Sequence, residues 1–341
     1  MTLNSDKANI KLFSDFDKVP VKLWQELYNR GANYNLSYEW CSLWFKYFGK
    51  NKKLRIITIW EGEELRLLAP FYSVRERLSL IGAKPDLYDE FDILYTDEKY
   101  LDKLFDYIEE KKLEINFKHV NSESKTAKFI IKKMCQKGLK KVSNVTETKP
   151  YTSAEFSPKR KMKDDIKRCK NNAVKLYGDD LAFKYKLEKE ESFIDEFISL
   201  HKKRWNGGLF VKKANVEAFI KELFLKTDVV LMSRLSLSQS DKTVAYHLGY
   251  LDSNDVLWSS LPAYNTEFKP VSPGKVLLYN LISEAFNNQV KRFDFGRGSE
   301  PYKNWFSNNE SVLFNIETYN NRVIVIKIRN LIEKILKKMV G

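Results

Sequence analysis

A histidine in the C-terminal half of the sequence has the chemistry needed for proton transfer. His247 lies in Thr243–Tyr250, an alternating run rich in β-branched and aromatic residues that predicts a strand. An ordinary histidine has a pKa of about 6.5 and can accept a proton near neutral pH. Strand alternation places His247 on one face with Ala245 and Gly249. His247 is therefore either a general base or a hydrogen-bonded histidine of the sheet.

A loop that leads into a helix follows at Phe268–Lys275. Ser272 stands where a helix N-cap is expected, Pro273 stands at the first helical position, and apolar residues recur at helical spacing from Val276 onward. Free backbone N–H groups at such a helix start point at an anion. An ordinary helix N-terminus shows the same pattern. The predicted anion-binding, and hence cofactor-binding, residues are Lys269, Ser272, Pro273, Gly274, Lys275 and Val276.

Further acid–base candidates surround a short strand predicted at Lys291–Phe295. Asp294 and Glu300 are the rivals to His247 as base, acting directly or through water. The phenol of Tyr302 is a proton donor, or Tyr302 is a packing residue with its hydroxyl at the surface.

Charged and aromatic side chains near these groups are the candidates for substrate binding. His201, Arg204 and Trp205 lie close together on a predicted helix, an arrangement that suits a sugar or a base, or that seals an interface. Arg297 and Lys303 are placed to hold an anionic group, although Arg297 could instead pair with Glu300.

Secondary-structure patterns indicate a duplicated α/β unit. In each half of the chain they predict a hairpin, a strand, a helix and a further strand, in that order. We predict an N-terminal domain at 1–150 and a C-terminal domain at 151–341, with Asn144–Pro158 as the linker. Only the second half has a proline-glycine loop before its helix. In the first half, the acidic Tyr95–Glu98 precedes the helix and disfavours phosphate. One cofactor site is therefore expected.

Composition excludes several classes of protein. No apolar run approaches 18 residues, and the N-terminus lacks the apolar core of a signal peptide, which predicts a cytoplasmic protein. The three cysteines and three histidines lack disulfide-framework or metal-ligand spacing, so no metal is expected. Walker A, Rossmann and nucleophile-elbow motifs are missing.

The net charge of +14 is concentrated in two segments, Lys159–Lys170 and Arg322–Gly341, each with a net charge of +5. Nucleic-acid binding, phosphate-bearing ligands and a lysine-rich composition without function all account for it. The apolar stripe of the second segment predicts a helix that docks on its own domain, on a sister subunit in a homodimer, or peripherally on an anionic membrane.

The motif order resembles a known family of acyltransferases. The stretches SPGKVLLYNLISEA and FDFGRGSEPYKNWF, preceded by LHKKRW and Val244-Ala245, are similar to the GNAT acyltransferases of the cellulose-biosynthesis-protein-like (CelD/BioF-like) group, relatives of the FemABX peptidyltransferases. The match spans about Phe156–Phe306. It implies an α/β (α+β) fold of two tandem GNAT-like modules, each with a mixed central sheet flanked by helices.

The resemblance also implies a function, namely acylation of an amine by acyl-CoA within a ternary complex. The expected donor is acetyl-CoA or a short hydroxyacyl-CoA, and the expected acceptor is a nucleotide-linked amino sugar used in surface-polysaccharide biosynthesis. No nucleic-acid partner is expected. The alternatives are a FemABX-like aminoacyl transferase, against which the missing coiled-coil insertion argues, and a non-catalytic nucleic-acid-binding protein.

Specific roles follow from the same resemblance. Tyr302 would protonate the leaving thiolate, and the strand Thr243–Tyr250 would diverge from Val256–Leu261 to admit the thioester and would donate backbone N–H groups to the oxyanion. Asp89 and Asp92 resemble an acidic-aromatic element that holds the substrate ammonium, or they are solvated loop acids.

Overall fold

The computed structural model describes residues 8–136, 142–153, 157–158, 160–206 and 208–318. The chain divides into two compact units. Of the described residues, the first unit contains 8–136, 142–149 and 311–318, and the second unit contains 150–153, 157–158, 160–206 and 208–310. Residues 311–318 were assigned to the C-terminal domain from sequence, yet they group with the first unit. The basic helix predicted at Arg322–Gly341 lies outside the described residues.

The described strands are β1 (Asn9–Phe13), β2 (Lys53–Glu61), β3 (Glu64–Val74), β4 (Arg77–Leu80), β5 (Leu94–Tyr95), β6 (Glu114–Asn121), β7 (Val142–Ser153), β8 (Leu181–Lys184), β9 (Val230–Leu237), β10 (Thr243–Leu251), β11 (Val256–Tyr264), β12 (Arg292–Asp294) and β13 (Asn309–Glu317). The described helices are α1 (Val21–Tyr28), α2 (Tyr38–Phe48), α3 (Glu98–Glu110), α4 (Lys125–Gln136), α5 (Arg160–Tyr177), α6 (Glu191–Arg204), α7 (Leu209–Lys212), α8 (Val216–Lys226) and α9 (Pro273–Asn287).

The first unit is built on a mixed sheet in the order β1-β2-β3-β4-β6-β13, with β5 beside β3. Its strands β4 and β6 are parallel, with Leu78 opposite Ile115, and helix α3 lies between them in sequence. At the start of α3, the Asp97 carboxylate accepts the N–H of Lys99 at 2.8 Å. The N-terminus of this helix therefore already has a negative charge from its own chain.

The second unit repeats this plan, with the sheet order β12-β11-β10-β9-β8, and the end of β7 pairs with β12. Here β11 and β12 are the parallel pair, and α9 lies between them in sequence. The predicted fold is thus confirmed: two α/β modules occur in tandem, and each has a mixed sheet flanked by helices.

Alternation along β10 determines what its side chains contact in the second unit. Ala245 belongs to a buried apolar cluster with Val276 and Leu277 of α9 and Ile166 of α5. Tyr246 instead donates its hydroxyl hydrogen to Glu196 of α6 at 2.6 Å. Consequently, the face of β10 shared by Ala245 and His247 is turned toward α9.

The boundary between the two units, after Lys149, falls inside the predicted linker, but this segment is a strand and not an irregular connection. Most of Asn144–Pro158 lies in β7, where Tyr151, Thr152 and Ser153 pair with β12. Polar and proline content suggested a linker, but β-branched residues recur through this segment, and strand pairing satisfies its backbone groups. In the described part of the chain, no helix combines the length and apolar character needed to cross a bilayer.

Candidate active site

A cavity of about 440 Å³ lies within the second unit. Its walls come from β10 and β11, from the first turns of α9, from the end of α6 and from the segment after β12. The lining residues are Arg204, His247, Ser259, Pro262, Gly274, Lys275, Leu277, Leu278, Pro301, Tyr302, Trp305 and Phe306. Apolar walls with a few polar groups are typical of a ligand site.

The cavity forms where two parallel strands stop pairing. Strand β11 pairs with β12 only at Val256–Trp258, and β11 then continues to Tyr264. Strand β12 ends at Asp294, and the chain turns away at Gly296, whose φ is 67°. Beyond Trp258, one edge of β11 therefore has no partner from β12.

The divergence lies at a different strand pair from the one expected. Strand β10 pairs with β11 from Ala245 to Leu251 and with β9 over much the same length. The prediction that β10 diverges from β11 is therefore wrong. The expectation that β10 supplies N–H donors to the oxyanion fails for the same reason, because sheet pairing on both edges engages its backbone.

The start of α9 presents backbone donors beside this cavity. Ser272 is the N-cap, as predicted, but its φ of 49° is left-handed and its side chain makes no capping bond. Pro273 has no N–H, and the N–H groups of Lys275 and Val276 bond the Ser272 carbonyl at 3.0 and 3.3 Å. Among described residues, the Gly274 N–H is the first-turn donor for which no acceptor is found.

Gly274 has room around it, since a Cβ there would meet nothing within 4 Å. Lys275 contributes charge to the same wall. Its ammonium pairs with Asp165 of α5 and lies 4.9 Å from the centre of the Trp305 ring. Of the six predicted cofactor residues, Gly274 and Lys275 line the cavity; Pro273 and Val276 are buried, and Lys269 is exposed.

His247 and Ser259 form a hydrogen-bonded pair in the cavity wall. The imidazole Nε2 lies 2.8 Å from Ser259 Oγ, while Nδ1 has no hydrogen-bond partner among the described residues. His247 is 2% exposed, and this burial lowers its pKa to about 3. The ring is therefore neutral at physiological pH and is a much weaker base than the sequence suggested.

Arg204 and Tyr302 bring a cation and a phenol to the cavity. The Arg204 guanidinium carbon lies 3.8 Å from the centre of the Tyr264 ring and 4.7 Å from that of Trp205. No ion-pair partner for Arg204 occurs among the described residues. Tyr302 is 46% exposed, and partial desolvation at the cavity wall, followed by the charge of Glu300, raises its pKa to about 12. The phenol is therefore protonated at neutral pH. A ligand anion would thus meet an uncompensated positive charge and a hydroxyl donor.

His201 and Trp205, which were predicted to bind substrate together with Arg204, do not line the cavity. His201 is buried, with its ring centre 5.9 Å from that of Phe197 and 4.9 Å from that of Phe210. Burial, followed by the charge of Arg204, lowers the pKa of His201 to about 4. Trp205 is 45% exposed.

Asp294 has a structural role at the end of β12. Its side chain is fully buried and accepts hydrogen bonds from Arg292 at 2.8 Å and from the Gly296 N–H at 3.0 Å. These contacts fix the turn after β12, and Asp294 is not among the cavity-lining residues.

Lys303 is directed inward, although it was predicted to bind substrate. Its ammonium donates to the carbonyls of Gly296, Arg297 and Gly298 at 3.3, 2.5 and 3.3 Å and pairs with Glu300 at 2.8 Å. Lys303 therefore holds the 296–300 loop closed. The Arg297 side chain is absent from the cavity lining.

The predicted acidic element lies in the first unit. Asp92 accepts the Ile93 N–H at 2.8 Å and the Thr126 hydroxyl, and burial raises its pKa to about 7 despite these hydrogen bonds. Asp89 is half-buried. The sequence interpretation missed Glu90 between them, which is buried, pairs with Lys149 and accepts from Asn121 at 2.9 Å.

Sequence reasoning also missed Ser259, Pro262 and Trp305 as cavity residues. A signal existed in each case. Ser259 and Pro262 interrupt an otherwise apolar and aromatic strand, and Trp305 is a large aromatic residue in a polar segment. Among the described residues, no group of three or more His, Cys, Asp or Glu side chains is arranged to hold a metal ion.

Several solved structures have folds similar to that of this chain. The structure of L-PGS from Bacillus licheniformis superposes with a TM-score of 0.59 at 12% identity, covering 95% of this chain and 97% of that one. FemX gives 0.59 at 10% identity, with coverages of 86% and 96%. The C-terminal domain of a putative lysylphosphatidylglycerol synthetase from Agrobacterium fabrum gives 0.58 at 10% identity, with coverages of 88% and 92%. At these identities the likeness concerns the fold alone.

The sequence itself has no significant match among curated proteins. Residues 160–304 do match the sequence profile of the acetyltransferase (GNAT) domain. This range contains α9, the diverging strands β11 and β12 and most of the cavity lining. The second unit therefore carries a GNAT acetyltransferase domain, and the protein is an acyltransferase.

Proposed function

We propose that the protein transfers an acyl group from acyl-CoA to the amino group of a nucleotide-linked amino sugar used in surface-polysaccharide biosynthesis. GNAT domains use acyl-CoA, and the residues at the start of α9 fit such a donor. The observation that carries the proposal is the cavity wall at Gly274, where a backbone N–H finds no acceptor among the described residues and a Cβ would have open space around it. A pyrophosphate needs such a close approach to backbone donors.

Three side chains of the cavity have distinct roles in this proposal. Lys275 adds positive charge beside the helix start, for the phosphates of the donor. Arg204 holds an anionic group of the acceptor, because its charge lacks an ion-pair partner in the described part of the chain. Tyr302 supplies the proton that the leaving thiolate needs, since its high pKa keeps the phenol protonated.

The chemical step follows from these placements. The neutral amine attacks the thioester carbonyl carbon, the new C–N bond forms, and the C–S bond breaks as sulfur takes the Tyr302 proton. Tyr302 regains its proton from water. The surplus amine proton passes to water, because His247 is too weak a base and Asp294 is engaged with Arg292 and Gly296.

A FemABX-like aminoacyl transferase is the second candidate. The observation that favours it is the outer side of α5, where Lys161, Lys163 and Lys167 are exposed beside Arg168. Such a surface suits a polyanionic carrier. The fold shared with FemX is compatible with this candidate as well.

A thiol-release screen tests the two candidates together. Acetyl-CoA and 3-hydroxybutyryl-CoA are combined with nucleotide-linked amino sugars, and the acceptor product is weighed by mass spectrometry. We expect one thiol released for each amide formed. Transfer from an aminoacyl-tRNA to a peptidoglycan precursor, without thiol release from any acyl-CoA, would contradict the proposal and support the second candidate.

A further inference from the structure

The His247–Ser259 pair is a polar feature of the cavity that has no role in the scheme above. His247 is almost fully buried, one of its ring nitrogens contacts Ser259 Oγ at 2.8 Å, and the other lacks a partner in the described part of the chain. Ser259 is partly exposed, and it lines the cavity. The pair thus connects the interior of the sheet with the space where a ligand would lie.

The unpartnered Nδ1 of His247 indicates which group donates in the hydrogen bond between His247 and Ser259. A neutral imidazole carries its proton on either Nδ1 or Nε2. A buried N–H without an acceptor is rarer in proteins than an acceptor without a donor, so we place the proton on Nε2. His247 then donates to Ser259 Oγ. The Ser259 hydroxyl hydrogen is left free to point into the cavity.

The surrounding backbone holds the ring in place. The pairing of β10 with β11 shifts register between Leu248 and Gly249. A Cβ at Gly249 would lie 2.9 Å from His247 Cε1 and 2.6 Å from the Trp258 carbonyl oxygen. Only glycine at position 249 leaves room for both the imidazole of His247 and the carbonyl of Trp258. Gly249 therefore permits the observed position of the imidazole.

Of the two β11 residues that line the cavity, Ser259 and Pro262, only Ser259 has a side-chain donor. Pro262, which lines the cavity, has no backbone N–H to offer. Lys275 is paired with Asp165, and Arg204 stacks on Tyr264. Ser259 is thus a neutral donor on the strand wall, held by a partner that itself is fixed in the sheet.

We propose that the Ser259 hydroxyl donates a hydrogen bond to the thioester carbonyl of the bound acyl donor, and that His247 is the positioning residue that orients this hydroxyl. The inference rests on the proposed function, since it requires acyl-CoA in this cavity. A fixed donor at the carbonyl oxygen stabilises the oxyanion that forms when the amine attacks. No covalent bond to Ser259 forms, and no proton leaves it.

Isotope-edited infrared spectroscopy tests the contact without an acceptor. The probe is acetyl-CoA labelled with ¹³C at the carbonyl, and its carbonyl stretch is compared free and bound. A donated hydrogen bond lowers this frequency. We expect the bound wild type to show the lowering, Ser259→Ala to lose most of it, and Ser259→Cys, with its weaker donor, to be intermediate. Affinity by calorimetry should stay within about threefold.

Two further variants separate orientation from packing. Ser260→Ala removes the neighbouring hydroxyl, which does not line the cavity, and should keep the full shift. His247→Phe fills a similar volume without a hydrogen bond and should lose part of the shift. In a double-mutant cycle, His247→Phe should have no further effect once Ser259 is alanine, because it acts through that hydroxyl. Thermal unfolding checks that each variant is folded.

The outcomes are distinguishable. An unaltered carbonyl shift in folded Ser259→Ala, or an additional loss from His247→Phe in the Ser259→Ala background, would overturn the inference and leave acyl-CoA binding intact. If the wild type does not bind acetyl-CoA by calorimetry, the proposed function fails, and this inference fails with it.

Discussion

The guanidinium carbon of Arg204 lies 3.8 Å from the centre of the Tyr264 ring, at the edge of the cavity in the second unit. Stacking on an aromatic face holds a guanidinium in place without neutralising it. The last turn of α6 and the end of β11 therefore present a fixed positive charge to a ligand.

Arg204→Met should weaken the binding of a nucleotide-linked amino sugar by about tenfold, or about 1.4 kcal/mol, because the charge is lost while much of the apolar stem remains. Calorimetry at low and high salt measures this. The exposed neighbour Lys203 provides the control, since Lys203→Met should change affinity little. Equal losses in the two variants would mean that general surface charge, and not Arg204, binds the acceptor.

Tyr302→Phe should lower kcat by about 10²-fold and leave the affinities for donor and acceptor nearly unchanged, because only the proton-donating hydroxyl is removed. Single-turnover kinetics report the chemical step. Tyr279→Phe is a matched control, since Tyr279 lies on α9 but not in the cavity lining. A Tyr302→Phe protein with wild-type single-turnover rates would reduce Tyr302 to a packing residue.

The two buried histidines predict how stability depends on pH. The pKa values of His247, about 3, and His201, about 4, both lie below the value of about 6.5 in an unfolded chain. Between these values the unfolded state binds more protons than the folded state. Stability is therefore fully present above pH 6.5 and declines as pH falls, by at most about 1.4 kcal/mol per pH unit for each histidine.

Urea unfolding of wild type and His247→Gln at pH 7, 6 and 5 measures this decline. The variant should lose about half of the combined histidine contribution to the slope. A slope that is the same in the two proteins would show that His247 is exposed to water or charged in the folded state.

Lys303→Met should destabilise the second unit by about 3 kcal/mol, because three loop carbonyls and Glu300 lose a buried cationic partner. Chemical denaturation gives the value. Lys269→Met, at an exposed position, should change stability by less than about 0.5 kcal/mol. Wild-type stability with reduced ligand affinity in Lys303→Met would instead support the sequence-based role in substrate binding.

Local patterns were sufficient to predict much of the fold. The N-cap at Ser272 and the helix that starts at Pro273 are where capping preferences and apolar spacing indicated. The face shared by Ala245 and His247 followed from strand alternation. The repeated order of hairpin, strand, helix and strand predicted the duplicated α/β unit, and the structure adds that the strands on either side of the helix are parallel in each unit, β4 with β6 and β11 with β12.

Features that depend on long-range pairing could not be predicted in this way. The divergence of β11 and β12 depends on how many residues of the two strands pair, which is three. The sequence of either strand alone does not indicate that number. Similarly, the inward course of Lys303 depends on the path of the 296–300 loop, and a lysine in a polar segment gives no sign of it. The weak basicity of His247 results from burial, which the residue type does not determine.

The central claim is that acyl-CoA binds in the cavity of the second unit against the start of α9. Gly274→Asp places a carboxylate beside the Gly274 N–H, whereas Gly274→Ala adds only a methyl group, for which the structure has space. Calorimetric titration of the two folded variants with acetyl-CoA tests the claim. We expect Gly274→Ala to bind nearly as the wild type does and Gly274→Asp to bind one to two powers of ten more weakly, a loss of about 1.4–2.8 kcal/mol. Equal affinities in Gly274→Asp, Gly274→Ala and the wild type would contradict it.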